Sequence, residues 1–170
     1  MQKYTSKQTS INSKKLPAVF GKVQKQFGWK KDSLNVDLGG GKFDNASSFL
    51  LDEFNVTSLI YDPYNRPEPH NRQVLESCDT SKCDTVTISN VLNVICEESA
   101  QLELLKLAHS ILKPEGHAYI TVYEGNRSGK GRQTGPDQWQ ENKKLSEYSK
   151  LVDYVFGNHE IKGGMMIAVK

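Results

Sequence analysis

The stretch Asn35-Val36-Asp37-Leu38-Gly39-Gly40-Gly41 constrains this chain more than any other. A short apolar strand runs into an acid and three successive glycines, and a helix-compatible segment follows from Asn45 to Phe54. A second strand-like stretch, Ser58-Leu59-Ile60-Tyr61, ends on Asp62, 21 residues beyond Gly41. Strand, glycine turn, helix and a strand ending on an acid is the order of a nucleotide site. The glycines let backbone approach a ligand, and the second acid receives a ribose. The dinucleotide pattern G-x-G-x-x-G needs a glycine at position 44, which is Asp44 here. Asp37 also puts a carboxylate where a diphosphate would be repelled. A nucleoside that carries a cation and no diphosphate fits this turn better.

The rest of the chain alternates helical and strand periodicity. Residues 1–15 are polar, rich in Ser, Thr, Lys and Gln and without apolar period, which predicts a flexible basic arm ahead of one domain over 16–170. Leu16 to Phe20, Val23 and Phe27 repeat at helical spacing, with Pro17 in the first turn. Strands are expected over 34–38 and 57–61. Between them lies a helix capped by Asp44 or Asn45, with Ala46, Phe49, Leu50 and Phe54 inward. Asn65 to Pro69 reads as a loop, because two prolines separated by one residue break a ladder or a helix. Val74-Leu75 is open to two readings, a short third strand or part of a helix. A strand over 85–89 and a helix from Glu97 to Leu112 follow, with Leu104, Leu105, Ala108, Ile111 and Leu112 inward and Pro114 and Gly116 as the stop. His117 to Tyr123 is the next strand, and Gly125 to Arg132 a glycine-rich basic loop. A long helix is then expected, with Asp137 and Gln140 as a cap pair and Leu145, Tyr148, Val152, Val155 and Phe156 on one face. Residues 158–162 and 165–169 form a hairpin across Gly163-Gly164. This order predicts an α/β chain: a Rossmann-like, doubly wound, mostly parallel sheet with helices on both faces and an antiparallel C-terminal strand.

Composition narrows the class. A chain of 170 residues suffices for one domain with a real core. It has no apolar run of the roughly 18 residues a membrane span needs, and its polar start is no secretory signal. Three cysteines (Cys78, Cys83, Cys96) form no framework, so free thiols in a reducing cytoplasm are expected. Cys78, Cys83 and nearby His70 do not make a zinc pattern, and no metal is expected. Residues 1–31 hold eight lysines and no acid, which leaves 14 basic against 20 acidic side chains in the remainder. The bland reading of that arm is a solvated tail; the sharper one is a segment that meets phosphates or closes over the site.

Four motifs in order carry a resemblance: Val36-Asp37-Leu38-Gly39-Gly40-Gly41, Tyr61-Asp62-Pro63-Tyr64, Asp84 to Leu92, and Leu112-Lys113-Pro114-Glu115-Gly116. From about residue 16 onward the chain resembles class I S-adenosylmethionine-dependent methyltransferases, in particular small stand-alone proteins of bacteria and phages. The resemblance implies S-adenosylmethionine as cofactor. Asp37 would face its methionine amino group, and Gly39, Gly40 and Gly41 would bring backbone to it. Asp62 would take both ribose hydroxyls, and Pro63 or Tyr64 would lie along the adenine. Asn90 would contact the methionine part or the acceptor. The bland alternative is that the glycines only turn the chain and the acids and Asn90 only cap.

Three departures stand out. The family's third turn glycine falls on Phe43. The adenine-binding acid expected after a third strand has only Asp79 as its nearest candidate. The strand ending Ser89-Asn90-Val91-Leu92 lacks the Asn/Asp-Pro-Pro-aromatic signature of DNA amino-methyltransferases. The candidates for a catalytic group are those at strand ends, Asn90, Tyr123 and Glu124. A nucleic-acid or other phosphorylated acceptor is suggested by Arg127, Lys130 and Arg132 with the arm lysines Lys3, Lys7, Lys14 and Lys15. Two further classes remain open: a nonenzymatic S-adenosylmethionine-binding sensor or partner subunit, and a nicotinamide or flavin oxidoreductase, against which the missing glycine argues.

Overall fold

The computed structural model describes residues 2–7 and 15–170. Its centre is a six-stranded sheet in the order β2-β1-β3-β4-β8-β7, built from β1 (Leu34–Leu38), β2 (Thr57–Tyr61), β3 (Cys83–Ser89), β4 (Leu112–Thr121), β7 (Glu160–Lys162) and β8 (Met165–Val169). The first four strands are parallel, and β8 and β7 close the sheet antiparallel. Strict alternation along each strand sends one set of side chains to each face. Val36, Leu38, Val86, Ile88, Ala118 and Ile120 meet α3 (Glu68–Thr80), α4 (Glu98–Ile111) and α5 (Ser149–Phe156). Tyr119, Met165 and Ile167 meet α1 (Ala18–Gln26) and α2 (Asn45–Phe54) on the other face. Val19, Phe20, Leu50, Leu105 and Ile120 are fully buried, each contributing about 1.5–3 kcal/mol of apolar transfer. No helix among the described residues is long and apolar enough to cross a membrane.

Several sequence expectations change. Pro69 does not break a helix: α3 begins at Glu68, and Pro69 occupies its first turn, where the backbone N–H has no helical acceptor to lose. Val74 and Leu75 belong to that helix, so no strand lies between β2 and β3, and β2 is the edge of the sheet. Asp79 is exposed near the end of α3, where the helix has returned to the amino-terminal edge of the sheet, far from the glycine turn's edge. Strand β4 starts at Leu112 and absorbs Pro114 and Gly116 in a register shift opposite Cys83 and Thr85.

A further change concerns Asp137 and Gln140. They cap no helix but belong to a hairpin of β5 (Arg132–Gly135) and β6 (Gln138–Gln140); the helical turn starts only at Leu145 and continues as α5. Another concerns the described part of the arm. Residues 2–7 are packed: Tyr4 and Ser6 are buried, and Tyr4 stacks on Trp139 at 5.5 Å and 13°. Thr5 N–H donates to Asp137 at 2.8 Å, the Thr5 hydroxyl bonds the same carboxylate, and Ser6 N–H donates to Asp137 O at 2.9 Å. Lys14 lies outside the described residues.

Candidate functional site

Strands β1 and β3 are neighbours whose following helices pack on opposite faces, α2 with one core and α4 with the other. That divergence opens a crevice at their carboxyl ends. Asp37 stands there at 3% exposure. A directed chain holds it: Asn35 Nδ2 donates to Thr87 Oγ1 at 3.2 Å, and Thr87 Oγ1 donates to Asp37 Oδ1 at 2.7 Å. Burial pushes the Asp37 carboxyl up to about 6, against the Thr87 bond that lowers it; the nearby Asp62 charge adds to the rise. A carboxylate so placed is stabilised by any cation brought beside it.

Gly39 follows with φ +77, and its N–H donates to Tyr61 O at 2.7 Å. A Cβ there would stand 2.5 Å from Val91, so the turn can pass under the β3 exit only as glycine. The exit of the turn is held from the far side of β2. Arg66 Nε donates to Gly41 O at 2.8 Å, and its Nη2 reaches Phe43 O and Asp44. Those bonds set the backbone where the resemblance expected a third glycine and the sequence has Phe43. Arg66 was missed because nothing local marks an exposed-looking arginine 25 residues downstream of Gly41.

Asp62 occupies its expected place but with its valences taken. Oδ1 accepts from Tyr64 N and Asn65 N at 3.0 and 3.1 Å, and Oδ2 from Gly41 N and Asn65 Nδ2 at 2.9 and 3.0 Å. A carboxylate offers about four acceptor sites, so all are in use. Its backbone is fixed as firmly, since buried Asn71 accepts from Asp62 N at 2.8 Å and donates to Asp62 O at 3.1 Å. In this arrangement Asp62 ties the glycine turn to the β2 exit, and it has no free acceptor site for a pair of ribose hydroxyls. Of its four donors only the Asn65 amide is a side chain able to swing aside.

Two cavities flank this frame and meet at Gly39, Asn90 and Val94. The larger, about 930 Å³, is bordered by Asp37, Gly39, Gly40, Gly41, Asn90 and Tyr123 among others; the smaller, about 100 Å³, by Asp62, Pro63, Tyr64, Ile95 and Leu104 and, on its open side, by Gln2, Thr5 and Ser6. Asn90 is exposed with φ +57, a conformation Asn tolerates well, and its N–H donates to Thr121 O at 2.9 Å. The cofactor-side candidates are therefore brought together. Of the other strand-end candidates, Tyr123 is 63% exposed and borders the large cavity. Glu124 is drawn away: Oε1 accepts from Leu145 N at 3.0 Å and Oε2 pairs with Arg127 at 2.7 Å. Those bonds hold its carboxyl below the usual range, led by the Leu145 N–H, which is the wrong direction for a base.

The basic groups divide in the same way. Arg132 and Lys15 border the large cavity, joined by Lys42; Arg127 is bound to Glu124, and Lys130 lies outside the lining. Lys3 lies over the Tyr4 ring and Lys7 is exposed. The loop glycines serve packing. Gly125 has φ +57, and a Cβ on it would meet Asn142 Oδ1 at 2.0 Å. Asn142 in turn binds the loop through Asn126 N and Lys130 O. Buried Asn93 and Gln140 complete the floor: Asn93 Nδ2 donates to Gln140 Oε1 at 3.2 Å, and Gln140 Nε2 to Tyr123 O at 3.0 Å. None of this polar floor was legible as a motif, though polar residues at strand positions Asn35, Asp37, Thr85 and Thr87 were a usable signal. Cys78 and Cys83 are core residues and His70 bonds Ile60 O; no metal-binding group of three His, Cys, Asp or Glu side chains occurs among the described residues.

No protein-family model and no curated protein matches the chain. Solved structures do. The 1,6-didemethyltoxoflavin-N1-methyltransferase of Burkholderia thailandensis, solved with 1,6-didemethyltoxoflavin and S-adenosylhomocysteine, superposes with TM-score 0.60 at 17% identity over 90% of this chain and 76% of that one. The sugar N-methyltransferase KedS8 from Streptoalloteichus gives 0.57 at 10% identity over 90% and 85%. The mitomycin 7-O-methyltransferase MmcR gives 0.53 at 16% over 89%, and this chain spans 52% of its length. At such identities the likeness concerns architecture: the chain has the class I methyltransferase fold.

Proposed function

We propose that the protein binds S-adenosylmethionine and transfers its methyl group. The observation that carries this reading is Asp37, a buried carboxylate with one hydroxyl donor and a raised pKa, at the inner end of a cavity at the carboxyl ends of β1 and β3. Such a group favours a ligand with an ammonium beside it, and the positive-φ backbone at Gly39 and Gly41 fits close approach of the same ligand. The apolar walls of the small cavity, Ile95 and Leu104, with Pro63 and Tyr64 beside them, suit an adenine. That cavity is too small for a nucleoside as it stands, so its walls, which include Gln2, Thr5 and Ser6, have to move apart on binding.

The cofactor supplies a methyl group already activated on a sulfonium. What remains for the protein is in-line positioning. Asp37 holds the amino end, Gly39 and Asn90 border both cavities at the transfer point, and Tyr123 is the strand-end candidate left facing the acceptor space. A second reading, nonenzymatic cofactor binding, draws support from one feature: among the described residues, the large cavity is bordered by no histidine, glutamate or cysteine that would serve as a base.

Calorimetric titration with S-adenosylmethionine and S-adenosylhomocysteine tests the cofactor. Saturable binding of both is expected, and no binding of either at millimolar concentration defeats the proposal. Formation of S-adenosylhomocysteine in an acceptor screen then separates the enzyme from the sensor, which would bind tightly and release no product.

A further inference from the structure

The large cavity has a lopsided charge. Among the described residues, its border contains three cations, Lys15, Lys42 and Arg132, against one acid, Asp37. They come from separate segments: the residue before Leu16, the residue after Gly41, and the first residue of β5. All three are exposed, and none pairs with a carboxylate among the described residues. Every other arginine does: Arg66 with Asp44, Arg72 with Glu68 and Arg127 with Glu124. A bound amino-acid end would use Asp37 for its ammonium and one cation for its carboxylate, which leaves two cations facing the acceptor space.

A second, independent observation lies on the floor of that space. Asn93 is 2% exposed, and its Oδ1 has no hydrogen-bond partner although its Nδ2 is satisfied by Gln140. A buried acceptor left unpaired costs about 1–3 kcal/mol; Asn93 borders the cavity, and a ligand donor reaches its Oδ1 only after a small shift of the floor that uncovers the oxygen. The volume, about 930 Å³, lies in the range of small-molecule sites. Binding of a nucleic-acid strand needs instead a cationic track leading away from the pocket. Here Arg127 is paired with Glu124, which leaves Lys130 alone among the loop cations outside the lining, and one cation makes no track. The β5–β6 hairpin, latched by Asp137 to Thr5 and Ser6, walls the cavity.

We infer that the acceptor is a small organic anion carrying a hydroxyl or amine donor, its charge met by Lys42 and Arg132 and its donor by Asn93. As a statement about the acceptor this rests on the methyltransferase reading; as a statement about binding it stands alone. The experiment is calorimetric titration of the full chain, with and without S-adenosylhomocysteine, against 4-hydroxybenzoate and 4-hydroxyphenyl phosphate, with 4-hydroxybenzamide as the neutral counterpart and a short oligothymidylate as the polymer. The acids should bind at least roughly tenfold tighter than the amide, and the Lys42→Ala/Arg132→Ala variant should erase that preference while circular dichroism stays native. Asn93→Leu should weaken the acids and the amide alike.

Four results overturn the inference: no saturable binding of either acid at millimolar concentration, equal binding of acid and amide, an acid preference that survives the double substitution, or saturable oligothymidylate binding that the double substitution abolishes. If S-adenosylhomocysteine binds while the acids fail, this inference falls and the methyltransferase reading stands. If the acids bind and S-adenosylhomocysteine does not, the methyltransferase reading falls, and with it the word acceptor, while the anion site stands.

Discussion

Asp37→Asn separates the cost of the site from its use. The Asp37 carboxyl lies at about 6 in the folded protein against 3.8 in its unperturbed state, chiefly because burial disfavours the charge. At about 1.4 kcal/mol per tenfold change in proton affinity, that difference corresponds to about 3 kcal/mol of destabilisation once the group is ionised. The sign follows from proton counts. Between the two values the folded chain binds more protons than the unfolded one, so stability falls as pH rises from about 4 to about 6 and is level above. Asparagine keeps an oxygen for the Thr87 hydroxyl, now 2.7 Å from Asp37 Oδ1, and carries no charge. The variant should therefore be more stable than the wild type by up to about 3 kcal/mol at pH 8, with the gap closing towards pH 4. It should also bind S-adenosylmethionine roughly 10- to 100-fold more weakly, the effect of losing one charge-assisted hydrogen bond of about 1.5–3 kcal/mol. Urea unfolding of both proteins across pH 4–8, with calorimetric titration at pH 8, measures both quantities. A variant no more stable than the wild type at pH 8, or a gap that does not shrink on acidification, refutes the account of the buried charge. Unchanged affinity in the variant places the ligand's cation elsewhere.

Three further outcomes follow from the same geometry. Asp62→Ala should cost stability first, by about 3 kcal/mol or more, because it strips Gly41, Tyr64 and Asn65 of their acceptor; a variant as resistant to urea as the wild type would return Asp62 to a ligand-only role. Gly125→Ala should cost about 2 kcal/mol and lower the Tm by roughly 4–8 °C, since its Cβ would displace Asn142 Oδ1; a Tm within a degree or so of wild type counts against that packing. Asp137→Ala should release residues 2–7 from the hairpin. Limited proteolysis should then cut near Lys3 and Lys7 faster than in the wild type, and equal rates would show that the latch does not hold the segment.

What the sequence determined by itself is the part that local physics sets. Period-2 and period-3.6 patterns located β1, β2, α2, α4 and the closing β7–β8 hairpin, because each needs only a buried face of the right repeat. The glycine turn and Asp37 were legible for the same reason: successive glycines after a strand leave few backbone options. Only the tertiary structure decided the rest. Two prolines around Glu68 suggested a break, yet the second sits in a helical first turn, and the helix it opens takes the place of a strand. Asp62 stood at the right interval to serve a ribose, but three of its four donors come from the turn that follows it, through Tyr64 and Asn65, and the packing of β1 against β2 adds the fourth, Gly41 N–H. The latch between Thr5 and Asp137 spans 132 residues, and the chain of bonds from Asn35 through Thr87 to Asp37 crosses two strands. Spacing along a chain can place an acid at a strand end. Whether its lone pairs face a ligand or the protein's own N–H groups depends on the turn the chain makes after it and on which distant segments fold against it.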